Sequence, residues 1–322
     1  MSGTNTPQTC DGCGAALVLV DAAFCPHCGR ALWDQTDRDR DATANAATPI
    51  RTTAVGAGTT YSIALRSDGS VVSWGHDDVA EPGVVPALSG VVAISAGLLR
   101  TYALTGDGAL FTWSPGREAQ VRTQSGVAAV AAQSGGAIVL MTDGTIVHVN
   151  EFQVREAPSR VHGARAVATA DGYSFAINSR GTVDMWSELG NVINNYISLY
   201  KCRDVVAISA RDHHAIALTR DGVVYAAGSN EFGQRDVPIH LGRVVAISAG
   251  GRHVLGLLAD GTVTAWGDNG QGQCDVPSAL SGVTAVAAGL THSLALQADG
   301  EVVCWGNNSR GQLNVPTELL TS

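Results

Sequence analysis

From residue 54 onward, short stretches of alternating apolar and polar residues recur on either side of a glycine-containing turn. In the last copy, Ser293-Leu294-Ala295-Leu296 precedes the turn and Val302-Val303-Cys304-Trp305 follows it. A period of two is typical of β-strands, so each copy predicts a hairpin. Six of the seven turn dipeptides are Asp-Gly, which predicts a type I′ turn with positive φ at both central residues. The dipeptides are Asp68-Gly69, Asp107-Gly108, Asp143-Gly144, Arg180-Gly181, Asp221-Gly222, Asp260-Gly261 and Asp299-Gly300.

The turns recur at intervals of 39, 36, 37, 41, 39 and 39 residues, which defines seven tandem units. Six residues beyond the turn a tryptophan stands in five units, and Val149 and Ala227 replace it in the third and fifth. A preceding strand and a following GQxxVP segment complete about four predicted strands per unit. Because one such sheet cannot bury both faces alone, the units are expected to stack radially. The tryptophans are Trp74, Trp113, Trp186, Trp266 and Trp305.

This pattern predicts an all-β fold, a seven-bladed β-propeller over residues 51–322. The repeats lie near 54–90, 91–126, 127–163, 164–202, 203–242, 243–282 and 283–322. Residues 34–50 are polar, acidic and poor in aromatic side chains, so we expect a disordered linker there. Residues 1–33 form a separate module that contains four of the seven cysteines.

The clearest repeats, SAGGRH…DGTVTAWGDNGQGQ and AAGLTHSLAL…DGEVVCWGNNSRGQ, resemble those of the regulator of chromosome condensation family. The resemblance covers about residues 54–316 and is most specific in repeats five to seven. It implies a seven-bladed propeller without catalysis of its own. Members of the family serve as guanine nucleotide exchange factors, chromatin binders and interaction platforms, and similar bacterial propellers include secreted enzyme inhibitors.

The amino-terminal module contains two Cys-x-x-Cys pairs separated by eleven residues, each followed by glycine. Two residues between thiolates let both sulfurs reach one ion, and the glycines permit the turns around it. The pattern resembles a zinc ribbon with one structural zinc ion, because four thiolates leave no open coordination position. A redox pair is the alternative, but it favours a single Cys-x-x-Cys inside a βαβ unit. The predicted ligands are Cys10, Cys13, Cys25 and Cys28.

Charge and hydropathy narrow the class of partner. The formal net charge of −9 makes nucleic acid an unfavourable partner, because phosphate binding needs clustered positive charge. The polar amino terminus lacks a signal-peptide pattern, and no apolar run is long enough to span a bilayer. We therefore expect a monomeric cytoplasmic propeller that does not associate with membranes and that binds an unidentified protein.

Histidines occupy the position seven residues before the turn in three consecutive repeats: His214, His253 and His292. Three neighbouring blades cannot surround the propeller axis, which disfavours a shared metal ion. The resemblance implies that histidines at this position form hydrogen bonds between blades.

The residues just before this column are expected in loops on one face, where a rigid scaffold usually places its binding residues. Arginine is favoured in interfaces, so Arg100 and Arg252 are the first candidates. Tyr196 and Tyr200 lie in a lengthened loop of the fourth repeat, which a partner could shape. The remaining candidates for a partner-binding face are His213, Leu98 and Leu99.

No GxSxG, GxxxxGK[ST] or HExxH motif is present, so we expect a protein that is not an enzyme. The first hypothesis is a protein interaction scaffold made of zinc ribbon and propeller. The second is a regulator of a partner enzyme or GTPase, resembling an exchange factor or an inhibitor. The third is a protein that associates with nucleic acid through the zinc ribbon.

Overall fold

In a computed structural model, the described residues are 50–75, 88–98, 100–114, 120–123, 125–132, 136–150, 154–158, 161–187 and 193–320. They form seven antiparallel sheets, each built from strands consecutive in the chain. The fold is all-β, and its seven sheets are the seven blades of a propeller. Residues 1–49, including the predicted zinc ribbon, lie outside the described part.

The strands are as follows. Blade 1 has β1 (Thr52–Ala57), β2 (Tyr61–Arg66) and β3 (Val71–Gly75); blade 2 has β4 (Val91–Ala96), β5 (Thr101–Thr105), β6 (Leu110–Trp113) and β7 (Gln120–Thr123). Blade 3 has β8 (Val127–Ala132), β9 (Gly136–Met141), β10 (Ile146–Asn150) and β11 (Val154–Glu156); blade 4 has β12 (Ala164–Ala170), β13 (Tyr173–Asn178) and β14 (Val183–Ser187). Blade 5 has β15 (Val205–Arg211), β16 (His214–Thr219) and β17 (Val224–Gly228). Blade 6 has β18 (Val244–Ala249), β19 (His253–Leu258) and β20 (Val263–Gly267); blade 7 has β21 (Val283–Ala288), β22 (His292–Gln297) and β23 (Val302–Gly306). The 3₁₀ helices are Ile193–Lys201 and Thr317–Leu319.

The first strand of every blade faces a central channel, which is lined by residues from all seven of these strands. The hydrophobic core lies between neighbouring blades rather than inside any one of them. Between blades 7 and 1, for example, Leu294 and Leu296 pack in one cluster with Val55 and Trp74. A blade therefore buries its apolar faces only against its neighbours, which explains why the units occur as a closed set.

The prediction of four strands per unit is wrong for blades 5 to 7, whose residues after the third strand are described. A fourth strand is present in blades 2 and 3 only, among the described residues. In blades 5 to 7 the GQxxVP segment forms turns, because side chains satisfy its backbone groups locally. In blade 6, Asn269 Oδ1 accepts a hydrogen bond from Cys274 N–H (2.8 Å) and Asn269 Nδ2 donates to Asp275 Oδ1 (2.8 Å).

The hairpin turns also differ from the predicted type I′. Gly69 N–H donates to Arg66 O (2.9 Å) and Arg66 N–H donates to Ser70 O (2.9 Å), which describes a longer loop. Only the glycine is left-handed, with φ of 78° at Gly69, while the preceding aspartate is not. The aspartate instead accepts hydrogen bonds through its side chain: Asp68 Oδ1 receives Ser70 N–H (3.0 Å) and Ser70 Oγ–H (2.6 Å). Hence Asp-Gly favours the turn through side-chain bonding and one positive φ.

The ring closes by packing of blade 7 against blade 1, since no described strand is exchanged between these blades. The 3₁₀ helix Thr317–Leu319 continues the seam, with Leu319 buried in the same cluster as Val55 and Trp74. No helix in the described ranges is long and apolar enough to cross a membrane.

Candidate partner-binding face

One face of the ring carries the turns between the first and second strands of the blades. Backbone hydrogen bonds hold the loops after the third strands beside these turns. They join Ser229 N–H to His213 O (2.7 Å), Asp268 N–H to Arg252 O (2.9 Å) and Asn307 N–H to Thr291 O (3.0 Å). The channel, with a cavity of about 220 Å³, includes residues of this end such as Leu98, Asp171 and His213. We call this surface the mouth face.

A side-chain lock joins blade 7 to blade 1 beneath the mouth face. His292 Nε2 lies 3.1 Å from Ser62 Oγ, and Ser62 Oγ donates to Gln312 O (2.9 Å). Trp74 Nε1 donates to the same carbonyl (2.9 Å). Because the serine proton is directed to the carbonyl, the histidine must be the donor and carries its proton on Nε2.

The same lock joins blade 6 to blade 7. His253 Nε2 lies 3.0 Å from Ser293 Oγ, which donates to Gln273 O (2.8 Å). Trp305 Nε1 donates to that carbonyl as well (3.0 Å). The implied role of His253 and His292, hydrogen bonding between blades, is thus confirmed.

His214 differs from the other two histidines. The next blade places Val254 at the position of the serine, and neither ring nitrogen of His214 has a hydrogen-bond partner among the described residues. Those residues also contain no group of three side chains that could bind a metal ion together. The three histidines therefore occupy equivalent places with unequal bonding.

All three histidines are fully buried. Burial lowers the pKa of His253 and His292 to about 3, and that of His214 to about 4. The positive charge of Arg211 acts in the same direction on each of them. The rings are consequently neutral at physiological pH, and the lock places the single proton of His253 and His292 on Nε2.

Arg211 crosses the channel. Its Nη1 donates to Ala57 O of blade 1 (2.7 Å) and lies 3.3 Å from Ala288 O of blade 7. Four other blades place glycine at this position: Gly58, Gly97, Gly250 and Gly289. One guanidinium of blade 5 thus connects to both sides of the closing seam.

Two acidic residues stand beside Arg211 at the channel mouth. Asp212 has a left-handed backbone (φ 45°), and its carbonyl accepts Asp171 N–H at 2.6 Å. Burial raises the pKa of the Asp212 carboxyl, while Arg211 and His213 act in the opposite direction. Acidic and basic side chains therefore lie close together at the channel mouth, and this part of the surface does not have a single sign of charge.

Arg252 is exposed on the mouth face and lies over the ring of Phe232, with its guanidinium carbon 4.2 Å from the ring centroid. Phe232 belongs to the loop after β17 and is itself 37% exposed. The corresponding loops of blades 6 and 7 carry Gln271 and Arg310 instead. A stacked arginine and phenylalanine form a preorganised surface pair of a kind that interfaces use.

The other mouth-face candidates differ in exposure. His213 is exposed, whereas Leu98 and Arg100 are half-buried. Leu98 O accepts Thr59 Oγ1–H (2.8 Å) and Arg100 O accepts Tyr61 Oη–H (3.1 Å), so both backbones belong to the seam between blades 1 and 2. Leu99 lies outside the described residues.

Tyr196 requires a correction, because the predicted lengthened loop is a 3₁₀ helix and Tyr196 is buried on its inner side (3% exposed). Its ring packs on Tyr173 and Phe175, at centroid distances of 4.9 and 5.1 Å. It lies in one cluster with Ala227, where five other blades have tryptophan, and so it fills the core that the missing indole leaves open. Tyr200, four residues later, is 44% exposed and still available to a partner.

The sequence reasoning missed two residues of this face. Phe232 is an aromatic residue at a loop position that is polar in blades 6 and 7, and Arg211 is the one arginine in a column rich in glycine. Both departures from the repeat are visible in the printed sequence. The four cysteines predicted to bind zinc lie outside the described residues.

A comparison with models of protein families matches the clearest repeats of the chain. The family model of the Regulator of chromosome condensation (RCC1) repeat matches residues 205–234, 244–273 and 283–312. A comparison with curated proteins found no match. The matched segments belong to blades 5 to 7, the blades that contain both the buried histidine and the buried glutamine.

Solved structures share the fold. Prp20p from Saccharomyces cerevisiae aligns with a TM-score of 0.61 and 14% identity, over 75% of this chain and 81% of that one. Blades 5 to 7 of this chain therefore match the RCC1 repeat model, and the whole chain shares the propeller fold. Two plant receptor kinase ectodomains are also similar to this chain in fold. The CRINKLY WD40 ectodomain of ACR4 from Arabidopsis thaliana aligns with a TM-score of 0.66 and 16% identity, over 82% of this chain and 98% of that one. The ectodomain of CR4 from Physcomitrella patens aligns with a TM-score of 0.65 and 16% identity, over 80% of this chain and 74% of that one.

Proposed function

We propose that this chain is a non-enzymatic protein interaction scaffold whose propeller binds a protein partner through the mouth face. The observation that carries the proposal is the stacked pair of Arg252 and Phe232, two exposed side chains of interface type on rigid neighbouring loops. Prp20p, which has the same fold, is described as binding Gsp1p and histones, so a protein partner for this chain accords with its architecture.

The pair suits recognition because its two side chains are already ordered in the free protein, so binding removes little of their conformational entropy. Arg252 O accepts Asp268 N–H (2.9 Å), which fixes the turn, and Phe232 N–H donates to Gln234 Oε1 (2.9 Å), which fixes the loop. Gln234 is itself buried, and its carbonyl accepts Trp266 Nε1–H (3.2 Å). Preorganised side chains lose little entropy on binding, which favours affinity.

Affinity capture from the cytosol of the native cell tests this function. The full-length protein is compared with a Phe232→Ala/Arg252→Ala variant and with Arg155→Ala, a change at an exposed arginine on β11 of blade 3. We expect one stoichiometric partner with the full-length protein and with Arg155→Ala, and loss of at least about 2 kcal/mol of binding for the double variant. Equal capture by all three proteins would reject the mouth face as the site.

We further propose that residues 1–33 bind one structural zinc ion through Cys10, Cys13, Cys25 and Cys28. The support is the ligand spacing of the two Cys-x-x-Cys pairs and the trailing glycines. Metal analysis of the purified full-length chain should give one zinc per chain, and Cys10→Ser/Cys13→Ser should abolish it. As a control, Cys274→Ser should leave the zinc content unchanged, because Cys274 belongs to the propeller. A zinc-free wild-type protein would contradict the proposal.

A further inference from the structure

The face opposite the mouth face carries the turns between the second and third strands, and we call it the turn face. On this face, blades 4, 5 and 6 are linked through adjacent backbone segments. Val205 N–H donates to Gly181 O (2.9 Å) and Arg220 N–H donates to Asp204 O (2.9 Å). Gly222 in turn lies against Arg243 and Val244. The turn at 178–181, the segment 203–205, the turn at 219–222 and the segment 243–244 therefore form one continuous surface.

Basic residues follow this surface from blade to blade, and we call them the basic arc. Its five members are a quarter of the twenty lysine and arginine residues of the chain. The same surface contributes two acidic residues, Asp204 and Asp221, so its charge is opposite to the net charge of −9. The members are Arg180, Lys201, Arg203, Arg220 and Arg243.

The basic residues of the arc are not part of the pattern that the seven repeats share. Arg180 stands where the other six turns have aspartate. At the position of Arg220 the other blades have small or polar residues. These residues are Ser67, Gly106, Thr142, Ser179, Ala259 and Ala298. Blades 4 and 5 therefore have positive charge at turn positions where the other blades have none.

All five side chains are exposed. Within the described part of the chain, the charged groups of Arg180, Arg220 and Arg243 form no hydrogen bond or ion pair. Arg203 Nη1 donates to Tyr200 O and Cys202 O (both 2.9 Å), which holds its guanidinium at the end of the 3₁₀ helix. The neighbouring Arg165 donates to Ser179 O (3.0 Å) and is occupied with the fold. The arc thus presents free positive charge on a rigid base.

Exposed apolar side chains accompany the arc. Ile197 and Tyr200 precede Lys201 on the 3₁₀ helix and are 58% and 44% exposed. Val223 and Tyr225 follow the turn of Arg220 and are 45% and 42% exposed. Ser198 Oγ lies 3.4 Å from Ala226 O, which places the helix beside β17 and so brings the two pairs together. Charge and apolar surface therefore occupy the same quadrant of the rim.

We propose that the basic arc and its apolar neighbours bind an acidic segment of a protein partner, one that combines aspartate or glutamate with leucine or aromatic anchors. Positive charge steers and orients such a segment, and the apolar side chains supply buried area. The apolar component and the short reach of the arc favour a peptide over a nucleic acid, whose phosphates would also meet the acidic remainder of the surface. This site is independent of the mouth face, since it lies on the opposite side of the ring.

Fluorescence anisotropy with a labelled glutamate-rich peptide that carries two leucines tests the site. The reference probe is the same peptide with glutamine in place of glutamate. The full-length protein is compared with Arg180→Ser/Arg220→Ser/Arg243→Ser and with Phe232→Ala/Arg252→Ala as the matched control on the mouth face. Thermal unfolding of each variant verifies that the fold is intact, which is expected because exposed side chains contribute little to stability.

We expect salt-sensitive binding of the acidic peptide that weakens roughly tenfold in the triple variant, because each exposed pair contributes a factor of a few. The glutamine peptide should bind much more weakly, and the mouth-face variant should bind the acidic peptide like the wild type. Absence of binding to the acidic peptide, or equal binding by the triple variant, would overturn the proposal. Tighter binding of a single-stranded oligonucleotide than of the peptide would overturn it in favour of nucleic acid.

Discussion

The hydrogen bonds at each seam depend on single residues whose presence varies around the ring. The seams between blades 6 and 7 and between blades 7 and 1 contain the complete set of histidine, serine, glutamine carbonyl and tryptophan. At the seam between blades 3 and 4, Trp186 Nε1 donates instead to His148 Nε2 (3.0 Å). The propeller therefore closes on a seam with complete hydrogen bonding and tolerates variation elsewhere.

Ser62→Ala should destabilise the closing seam. The change removes the only acceptor that His292 Nε2–H has in the lock, which costs about 1–3 kcal/mol for this buried donor, while Gln312 O keeps its hydrogen bond from Trp74 Nε1. Denaturant unfolding measures the loss. Ser174→Ala is the matched control, because Ser174 is buried at the same strand position and faces blade 3, which has Gly136 in place of histidine. Equal losses in the two variants would contradict the lock.

Acid should destabilise the propeller through its buried histidines. Their pKa values fall from about 6.5 in the unfolded chain to about 3 or 4 in the folded one, so below about pH 6.5 the unfolded chain binds more protons. Stability is complete above that pH and is lost as pH falls toward 4. At about pH 5.5 each histidine should cost about 1.4 kcal/mol.

The free energy of unfolding, measured from about pH 8 to about pH 5.5, tests this dependence. His214→Phe should reduce its slope by about one proton. A stability that does not change over this range would refute the linkage.

At the scale of elements, the repeat pattern predicted the hairpins and their number because period-two alternation and turn chemistry are local. It could not predict which segments would become strands. The GQxxVP segment satisfies its backbone through Asn269, and the first strand begins with a bulge in every blade, as between Val283 and Ala285. Both features depend on hydrogen bonds that alternation of side chains does not encode.

The 3₁₀ helix Ile193–Lys201 shows how one element compensates for another. Ala227 removes a tryptophan from blade 5, and Tyr196 of the preceding segment enters the same core. The two residues belong to different repeats. An alignment of the repeats therefore shows that blade 5 lacks the tryptophan, but it does not show that Tyr196 fills the same core.

Tyr196→Ala should cost about 3–5 kcal/mol, because it empties a core position that is filled by an aromatic ring. Tyr200→Ala, at an exposed position of the same helix, should cost less than about 0.5 kcal/mol. Adding Ala227→Trp should restore part of the loss in the Tyr196→Ala background and destabilise the wild type by overpacking. Additive effects in this double-mutant cycle would show that the two sites do not share a cavity.

At the scale of the whole molecule, closure of the ring depends on contacts of very different sequence separation. Arg211 of blade 5 donates across the channel to Ala57 and Ala288, on both sides of the closing seam. The sequence predicted the seven blades and their order. It could not show that an arginine in a glycine column would span the axis, because the span follows only from the closed geometry.

Arg211→Ala should loosen the closing seam. Loss of the hydrogen bonds from a charged group should cost about 1.5–3 kcal/mol and should raise hydrogen exchange in β1 and β21 more than in β12. Arg252→Ala is the control, since it removes an exposed arginine without a role at the seam. Unchanged exchange in β1 and β21 would contradict the bridging role of Arg211.

Hydrogen exchange of the full-length protein, alone and with its captured partner, tests the central claim most directly, namely that the mouth face of a closed propeller recognises a protein. The account predicts protection of residues 230–236 and 251–253, which surround Phe232 and Arg252. Unchanged exchange at these loops in a saturated complex would contradict it.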